Sequence, residues 1–402
     1  MKLTIPVNWE DDYFDKIDFS QTEEIYGKLN IGLIGGGRPA LTLPTVNKEK
    51  VREFVKEAHR RNLNFNYLMN GTCFDNLEIT KTGYKDIRKT LDWLSEINVD
   101  GISVSLPMVM EIIKKNYPHF KISVSVQVRI DSFEKARYWE SLGADKLNIS
   151  YVDINKNFDE IKKIKEKTSC KIQTIANLMC MNKCPMVTLH ANYNAHASQK
   201  NHVSDNFSFD YYLFSCAERL LSDPVEILKS AFIRPEDLHY YEEAGVDNIK
   251  LVERIMTTDA LALIVKAYTN RSYDGNMMDL IHGLSKYLIY NKDQYYFHGM
   301  KYVLQPSKIN MLKAFKLVRK LDRVRKNKAF NESFDLYIDN KKLDGFLDFF
   351  HKGNCQRDCT QCNYCNKFAA KAIRYLVPLE QHQEAMSSLR DARNMMIKGE
   401  LF

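Results

Sequence analysis

Two hydrophobic periods alternate along residues 1–275. Short runs rich in Ile and Val are separated by segments whose apolar residues recur every three or four positions. In the segment from Lys48 to Asn62, for example, Val51, Phe54 and Val55 follow helical spacing. Short strands that alternate with helices in this way are typical of parallel βαβ units.

A short unit recurs three times in this region. A predicted helix ends in a small or turn-forming residue, an Asp follows, and a β-branched strand begins. Gly or Asn suits the left-handed end of a helix, and Ile/Val runs suit a strand buried on both faces. The copies are Asn98-Val-Asp-Gly-Ile-Ser-Val-Ser105, Gly143-Ala-Asp-Lys-Leu-Asn-Ile-Ser150 and Gly245-Val-Asp-Asn-Ile-Lys-Leu-Val252.

The strand count favours a closed barrel. Five further strands are predicted at Lys2 to Val7, Glu24 to Tyr26, Leu63 to Met69, Lys121 to Val126 and Lys171 to Ile175. Eight strands in about 255 residues are the size of a (β/α)₈ TIM-like barrel. The alternative is a doubly wound open sheet, but the glycine-rich loop from Gly32 to Arg38 lacks its G-x-G-x-x-G fingerprint. We therefore predict an α/β chain with a barrel over 1–275.

The remaining residues, 276–402, predict a mainly helical appendage that contains a Cys-rich segment. Its expected helices are Met277 to Tyr290, Ser307 to Leu321 and Leu379 to Ile397. One basic run within it has Val and Leu residues interleaved at helical spacing, so a solvated helix face is its simplest interpretation. Its members are Lys313, Lys316, Arg319, Lys320, Arg323, Arg325, Lys326 and Lys328.

Composition and charge limit the classes of protein to which the chain can belong. The chain has 402 residues, of which 45% are hydrophobic and 27% charged, as in a globular protein. No apolar run approaches the roughly 18 residues that a membrane span needs, and a cytoplasmic location is expected. The net charge of +7 permits contact with nucleic acid without arguing for it. The nine cysteines are not expected to form disulfides, because the cytoplasm keeps thiols reduced. Their clustering indicates a metal site.

Four cysteines fall where the barrel prediction places strand ends. Cys73 follows the third strand, Cys180 and Cys184 follow the seventh, and Cys216 ends the long polar segment after it, in which no element is evident. Active sites of such barrels lie at this rim. Four thiolates suit an iron–sulfur cluster or zinc. Cys170, at the start of the seventh strand, is expected to serve packing.

The second cysteine group is compact. Cys355, Cys359, Cys362 and Cys365 lie within eleven residues. Structural zinc usually uses two distant Cys pairs, whereas ferredoxin-type clusters use C-x₂-C-x₂-C runs, so a second [4Fe–4S] cluster is favoured and zinc stays open. The first three cysteines also have the C-x₃-C-x₂-C spacing of radical SAM enzymes. Their position far beyond the barrel argues against that interpretation.

The chain resembles the collagenase-like peptidase family, number thirty-two among the peptidases of unknown mechanism. The resemblance covers about residues 2 to 275 and leaves out the C-terminal cysteines. The matching features are Ile25-Tyr-Gly27 with Arg38 downstream, Ala58-His59 before a strand ending at Asn70, Gly143-Ala-Asp145, Ile233-Arg-Pro-Glu-Asp-Leu238, Tyr241-Glu-Glu-Ala-Gly245 and Lys250-Leu-Val-Glu-Arg254.

This resemblance implies a barrel that holds a [4Fe–4S] cluster on four cysteines. It also implies oxygen-independent hydroxylation, of ubiquinone precursors, transfer RNA or ribosomal RNA, with prephenate as an oxygen donor in some members. Other members carry a protease label, but the sequence has no G-x-S-x-G elbow and no H-E-x-x-H motif. We expect an iron–sulfur enzyme of this kind with a prephenate-like oxygen donor.

Two residues are candidates for the catalytic chemistry. Arg254, at the end of the eighth strand, is able to hold a carboxylate or phosphate, although a rim salt bridge to Glu253 would explain it equally well. His190, in the long loop with His196, is a candidate acid or base. Basic and acidic residues are balanced in the rest of the chain once the basic run is set aside, which favours a small-molecule or peptide substrate over RNA. The alternatives are tRNA or rRNA hydroxylation, or a non-catalytic electron-transfer or scaffold partner; a redox partner protein is compatible with each.

Overall fold

Eight parallel strands close into a barrel in chain order, with β8 pairing back onto β1. The computed structural model describes residues 1–281, 300–324, 336–356 and 358–402. The predicted (β/α)₈ barrel is confirmed. Its strands are β1 (Lys2–Pro6), β2 (Thr22–Gly27), β3 (Asn64–Met69), β4 (Gly101–Val104), β5 (Lys121–Val124), β6 (Lys146–Asn148), β7 (Lys171–Ile175) and β8 (Asn248–Lys250).

Helices surround the barrel and continue into the C-terminal region. In the barrel region they are α1 (Tyr13–Lys16), α2 (Lys48–Arg60), α3 (Lys81–Glu96), α4 (Pro107–Asn116), α5 (Phe133–Ser141), α6 (Phe158–Lys167), α7 (Val187–His196), α8 (Tyr211–Ser222), α9 (Val225–Lys229), α10 (Leu238–Glu243) and α11 (Thr258–Asn270). Beyond it lie α12 (Met311–Val324), α13 (Asp348–His351), α14 (Tyr364–Ala372) and α15 (Leu379–Ile397).

The threefold repeat ties neighbouring strands together at the N-terminal end of the barrel. In one copy, Gly143 ends α5 with a φ of 99°, and the Asp145 carboxylate then accepts hydrogen bonds from the Ile122 N–H at 2.8 Å and from Lys114 at 2.9 Å. The other two copies repeat the left-handed turn and the carboxylate contact, with Asp100 bonded to Phe65 N–H and Asp247 to Ile172 N–H. The repeat therefore stabilises the end of the barrel opposite the candidate site.

The lumen of the barrel is polar. Gln173 on β7 donates to the Thr4 hydroxyl on β1 at 2.7 Å, and Lys146 on β6 pairs with Glu24 on β2 at 3.3 Å. These strands are not neighbours, so the contacts cross the interior. The apolar side chains alternate with them and pack outward under the helices; they include Ile102, Ile122, Leu147, Ile172 and Ile249. The strands are buried on both faces as predicted, but only the outer face is apolar.

The C-terminal region packs directly on the barrel. The buried Arg234 side chain bonds Asp237, the Asn340 carbonyl and Asp344, which joins the segment before α10 to residues far along the chain. A two-stranded antiparallel sheet, Leu336–Ile338 with Ile373–Tyr375, also forms there. The sequence did not predict it, because three-residue strands carry too little pattern. The division between 275 and 276 remains a prediction.

The predicted C-terminal helices have different outcomes. The last one, Leu379–Ile397, is confirmed, and the one before it runs from Met311 to Val324. In place of the first, a 3₁₀ turn spans Met277–Asp279, and the predicted residues 282–290 lie outside the described residues. Lys313, Lys316 and Arg319 of the basic run are exposed on the described helix, and residues 325–328 lie outside the described part of the chain. Among the described residues, no helix has both the length and the apolar character to cross a membrane.

Candidate functional site

A tight loop after β7 presents two of the predicted thiols. Asn177 first fastens the end of β7 to the chain after β8, because its side chain both donates to the Val252 carbonyl and accepts from the Val252 N–H. The loop then turns through Lys183, which has a φ of 49° and donates its N–H to the Val152 carbonyl at 2.8 Å. Cys180 and Cys184 consequently line the same cavity.

A third thiol reaches the same place from a helix. Cys216 lies on α8, and with Cys180 and Cys184 it lines one cavity of about 370 Å³ at the barrel mouth. Burial raises the pKa of Cys216 to about 12, and the neighbouring Cys184 acts in the same direction. The neighbouring Cys180 thiol lowers the pKa of Cys184. Three of the four predicted barrel ligands are thus brought together.

Cys73 is placed elsewhere. Its sulfur lies within 4.8 Å of ligand atoms of Asp75 and His196. His196 ends α7, whereas Cys184 lies just before that helix begins, and a ten-residue helix is about 15 Å long. The structure therefore separates Cys73 from the other three thiols, and the set of four expected from their positions at the barrel rim does not assemble.

Among the described residues, the three sulfurs do not form the compact group that a single tetrahedral ion requires. A tetrahedral zinc site, with Zn–S bonds of about 2.3 Å, holds its sulfurs about 3.8 Å apart. Among the described residues, no set of three ligand atoms within 4.8 Å includes Cys216. In an iron–sulfur cluster each thiolate binds a different iron, so wider spacing is required. Three cysteines leave one position of a [4Fe–4S] cluster for another ligand.

His190 lies in the same cavity. Its Nε2 is 3.0 Å from an oxygen of Asp210, and its ring stacks on Tyr212 at 5.5 Å between centroids. A positive charge on His190 would also stabilise the Cys184 thiolate. The hydrogen bond to a carboxylate fixes the ring orientation, as it does for imidazoles that bind metals or transfer protons. The structure thus brings His190 to the thiols, and it places His196 with Cys73.

A second, smaller cavity of about 90 Å³ continues into the barrel and is lined by cations. Arg38 pairs with Glu253, and Glu253 also accepts the Arg254 backbone N–H at 3.0 Å. The Arg254 side chain is only 5% exposed, and its buried Nη1 atom has no hydrogen-bond partner. Burial lowers the pKa of Arg254, and Glu253 opposes that effect. The sequence alternative, a rim salt bridge between Arg254 and Glu253, is not formed; Arg38 occupies that carboxylate.

Two buried lysines lie close to these arginines. The Nζ atom of Lys250 lies 3.9 Å from the ring centre of Tyr26, and Lys28 donates to the Ile34 carbonyl at 3.0 Å. Burial lowers the pKa of both amines, and that of Lys250 falls to about 7. Cations therefore outnumber carboxylates at the base of the mouth. A buried guanidinium with an unused donor in such surroundings is suited to bind an anion.

The low pKa of Lys250 predicts a pH-dependent stability. The unfolded chain holds the proton up to about pH 10.4 and the folded chain only up to about pH 7, so the free energy of unfolding should rise with pH across this interval. We expect Lys250→Met to remove that rise, on the order of a few kcal/mol, and to stabilise the protein at pH 6. Urea unfolding at several pH values measures it. Lys266→Met, at an exposed lysine, is the control and should leave the slope unchanged.

Sequence analysis missed several parts of the site. It assigned no element to α7, because this helix has no strong apolar face. It is held instead by close backbone contact with the glycine-rich loop: a Cβ at Gly35 would lie 1.8 Å from the Ala195 carbonyl oxygen. The roles of Lys28, Arg38 and Lys250 were also missed. A buried lysine or arginine carries no local signal that distinguishes it from a surface one.

The second predicted cysteine group also converges. Cys355, Cys359, Cys362 and Cys365 all line one cavity of about 320 Å³ on the C-terminal region, together with Lys229 from α9. Cys359 and Cys362 are exposed, and the other two are half-buried. This cavity shares no lining residue with the one at the barrel mouth. The chain therefore has two separate clusters of thiols.

Comparison with known proteins identifies the family. A model of peptidase family U32 matches residues 41–281. An uncharacterized protease of Methanocaldococcus jannaschii is 29% identical over 341 residues, which are 85% of this chain and 86% of that relative. The tRNA hydroxylation protein P1 of Bacillus subtilis is 24% identical over 195 residues, 46% of this chain and 44% of that protein. The solved structure of the U32 peptidase Mk0906 is similar over 63% of this chain and 93% of its own, with 23% identity and a TM-score of 0.48. Because the family model covers more than half of the residues, the chain belongs to peptidase family U32, as the sequence resemblance predicted.

Proposed function

We propose that this protein is an iron–sulfur enzyme that hydroxylates a small molecule or peptide without O₂, or performs a related redox modification. One observation carries the proposal: the cavity of the three thiols adjoins the cavity of the unpartnered Arg254. The two cavities share lining residues, among them Arg38 and Tyr151. A molecule bound there would contact both the thiol side and the cationic side of the barrel mouth.

Cys180, Cys184 and Cys216 would hold a [4Fe–4S] cluster, with His190 as a candidate for the remaining position. When bound, such a cluster supplies electron transfer or acts as a Lewis acid toward a substrate oxygen. The spacing of the sulfurs and the chemistry of three cysteines and one histidine support this assignment. The protein's own residues would bind, orient and protonate the reactants.

The cationic base of the mouth would hold a carboxylate. Arg254 has a buried donor without a partner, and a carboxylate accepts two such bonds from a guanidinium. Lys250, whose pKa is about 7, is able to give or take a proton there near neutral pH. A prephenate-like oxygen donor carries the required carboxylates. These features support a site for an anionic small molecule beside the thiols.

The size of the mouth favours a small substrate. The outer cavity of about 370 Å³ lies in the range of small-molecule sites and would accept a metabolite or one side chain of a peptide. An open cavity with converging cations also supports an enzyme over a non-catalytic electron-transfer or scaffold partner, which needs no such pocket.

Mass spectrometry of anaerobically grown cells tests the proposal. Cells that make the native protein are compared with cells that make Cys216→Ala, and metabolites and peptides are searched for a gain of one oxygen atom. We expect a product that appears only with the native protein and that takes its oxygen from a source other than water or O₂. A product that is cleaved rather than oxygenated would support the protease label instead.

Transfer RNA is the second candidate substrate, since the Bacillus subtilis relative is named a tRNA hydroxylation protein. Against it, removing the eight residues of the basic run and Asp322 leaves 50 of 58 basic and 50 of 51 acidic residues. Phosphate neutralisation supplies most non-specific affinity. Binding to bulk tRNA in moderate salt should therefore be weak. Tight binding with a steep salt slope, lost on charge reversal of Lys316, Lys320 and Arg323, would make tRNA the substrate.

A further inference from the structure

One short segment of chain lies between the C-terminal thiols and the thiols at the barrel mouth. Helix α14 begins at Tyr364 and packs against α9, and Cys365 is in its first turn. Beyond α9 the chain reaches Ala231, whose N–H donates to the Cys180 carbonyl at 3.1 Å. One short segment, residues 225–231, thus contacts the C-terminal thiol region on one side and the barrel thiol loop on the other.

The surroundings of these thiols suit a negatively charged group. Lys229 lies close enough to Cys359 and Cys365 for their charges to interact, and the buried Lys156 does the same with Cys355 and Cys365. Lys156 also donates to the Leu228 and Ser230 carbonyls at the end of α9, so its charge is held in place. Two lysines would offset the charge of four thiolates bound to iron.

An apolar wall shields one side of the site. The Phe349 ring stacks on Tyr364 at 4.2 Å between centroids, and both residues line the cavity. The Tyr364 hydroxyl donates to the Phe346 carbonyl at 3.0 Å, which fixes the ring at the start of α14. The opposite side is open, because Cys359 and Cys362 are exposed. Exposed free thiols are reactive, and ligation would remove that reactivity.

The spacing argues against a single zinc ion here too. Among the described residues, no three of these four sulfurs lie within 4.8 Å of one another, whereas tetrahedral zinc needs sulfurs about 3.8 Å apart. The cavity of about 320 Å³ enclosed by the four thiols leaves room for a larger inorganic group. The C-x₂-C-x₂-C spacing of the last three cysteines is that of ferredoxin-type clusters.

We infer that Cys355, Cys359, Cys362 and Cys365 bind a [4Fe–4S] cluster that exchanges electrons with a separate one-electron carrier protein. In that exchange the reduced carrier loses one electron and the C-terminal cluster gains it. The exposed thiol side is where a carrier would approach, and the α9 segment leads from the cluster to the barrel site. This inference goes beyond the proposed function, and the two are separately testable.

The test counts metal in anaerobically purified full-length protein and records electron paramagnetic resonance after reduction with dithionite. We expect about eight irons and eight sulfides per chain, with signals from two clusters. The Cys359→Ala/Cys362→Ala variant should retain about four irons and the barrel signal. Both side chains are exposed, so their removal should leave the melting temperature of the metal-free protein unchanged. Cys73→Ala, outside both thiol groups, is the matched control and should keep all eight irons.

Each other outcome has a definite meaning. About one zinc per chain, lost in the Cys359→Ala/Cys362→Ala variant, would overturn the inference and leave the proposed function intact. If the native protein held about four irons and this variant retained all of them, the inference would also be overturned and the proposed function left intact. Four irons that this variant loses and Cys216→Ala retains would support the inference and overturn the barrel cluster. If the variant did not fold, the iron count and the two signals of the native protein would decide.

Discussion

We expect anaerobically purified Cys216→Ala protein to lose about four irons per chain and all turnover. Cys73→Ala should keep its irons and its turnover. The reason is geometric: Cys216 shares a cavity with Cys180 and Cys184, whereas Cys73 lies with Asp75 and His196 at the far end of α7. Three cysteine thiolates would bind the cluster, so this substitution leaves only two to hold it. Iron and sulfide assays with the visible absorption of the cluster measure the effect.

The comparison is well matched, because Cys73 and Cys216 are both half-buried. Cys170→Ala provides a further control, since this buried thiol lies just before β7 and donates to the Ala144 carbonyl at 3.1 Å and to Glu140 at 3.9 Å. Iron loss in both Cys73→Ala and Cys216→Ala would contradict the three-thiol site and restore the set of four that the strand order predicted, and full retention in Cys216→Ala would contradict both sets.

The second large effect is expected at Arg254. We expect Arg254→Met to weaken the binding of prephenate by roughly 30-fold or more, because removing one partner of a buried charged hydrogen bond costs about 2–5 kcal/mol. The same change should raise the melting temperature of the ligand-free protein, since it removes a buried cation whose Nη1 atom has no partner. Calorimetric titration and thermal unfolding, with and without prephenate, measure both.

Weaker prephenate binding together with a higher melting temperature distinguishes an anion site from a structural role of Arg254. A structural arginine would lower the melting temperature when it is replaced, with or without ligand. Arg60→Met is the control, because Arg60 is an exposed residue of α2 paired with Glu57; it should alter neither quantity. Unchanged prephenate binding in Arg254→Met would show that the cationic base of the mouth does not hold this donor.

The architecture could be predicted because it is encoded in local patterns. Six of the eight barrel strands contain Ile or Val. Each of the three repeats carries a turn residue and an Asp whose roles are local: ending a helix and bonding the adjacent strand. The cysteine groups were visible for a similar reason. Clustered cysteines are conspicuous in the sequence, and strand order assigns Cys180 and Cys184 to the barrel rim.

Which thiols meet, and what faces them, depended on the tertiary structure. Sequence order put Cys73 at the correct rim, but helix α7, which has no strong apolar face and is held by Gly35, separates it from the other three. The cations of the mouth were hidden because burial, not residue type, lowers the pKa of Lys250 and leaves the Nη1 atom of Arg254 without a partner. The sequence thus determined the barrel and the residues available for chemistry. Long-range packing decided their neighbours, because distance across a closed barrel is not a function of distance along the chain.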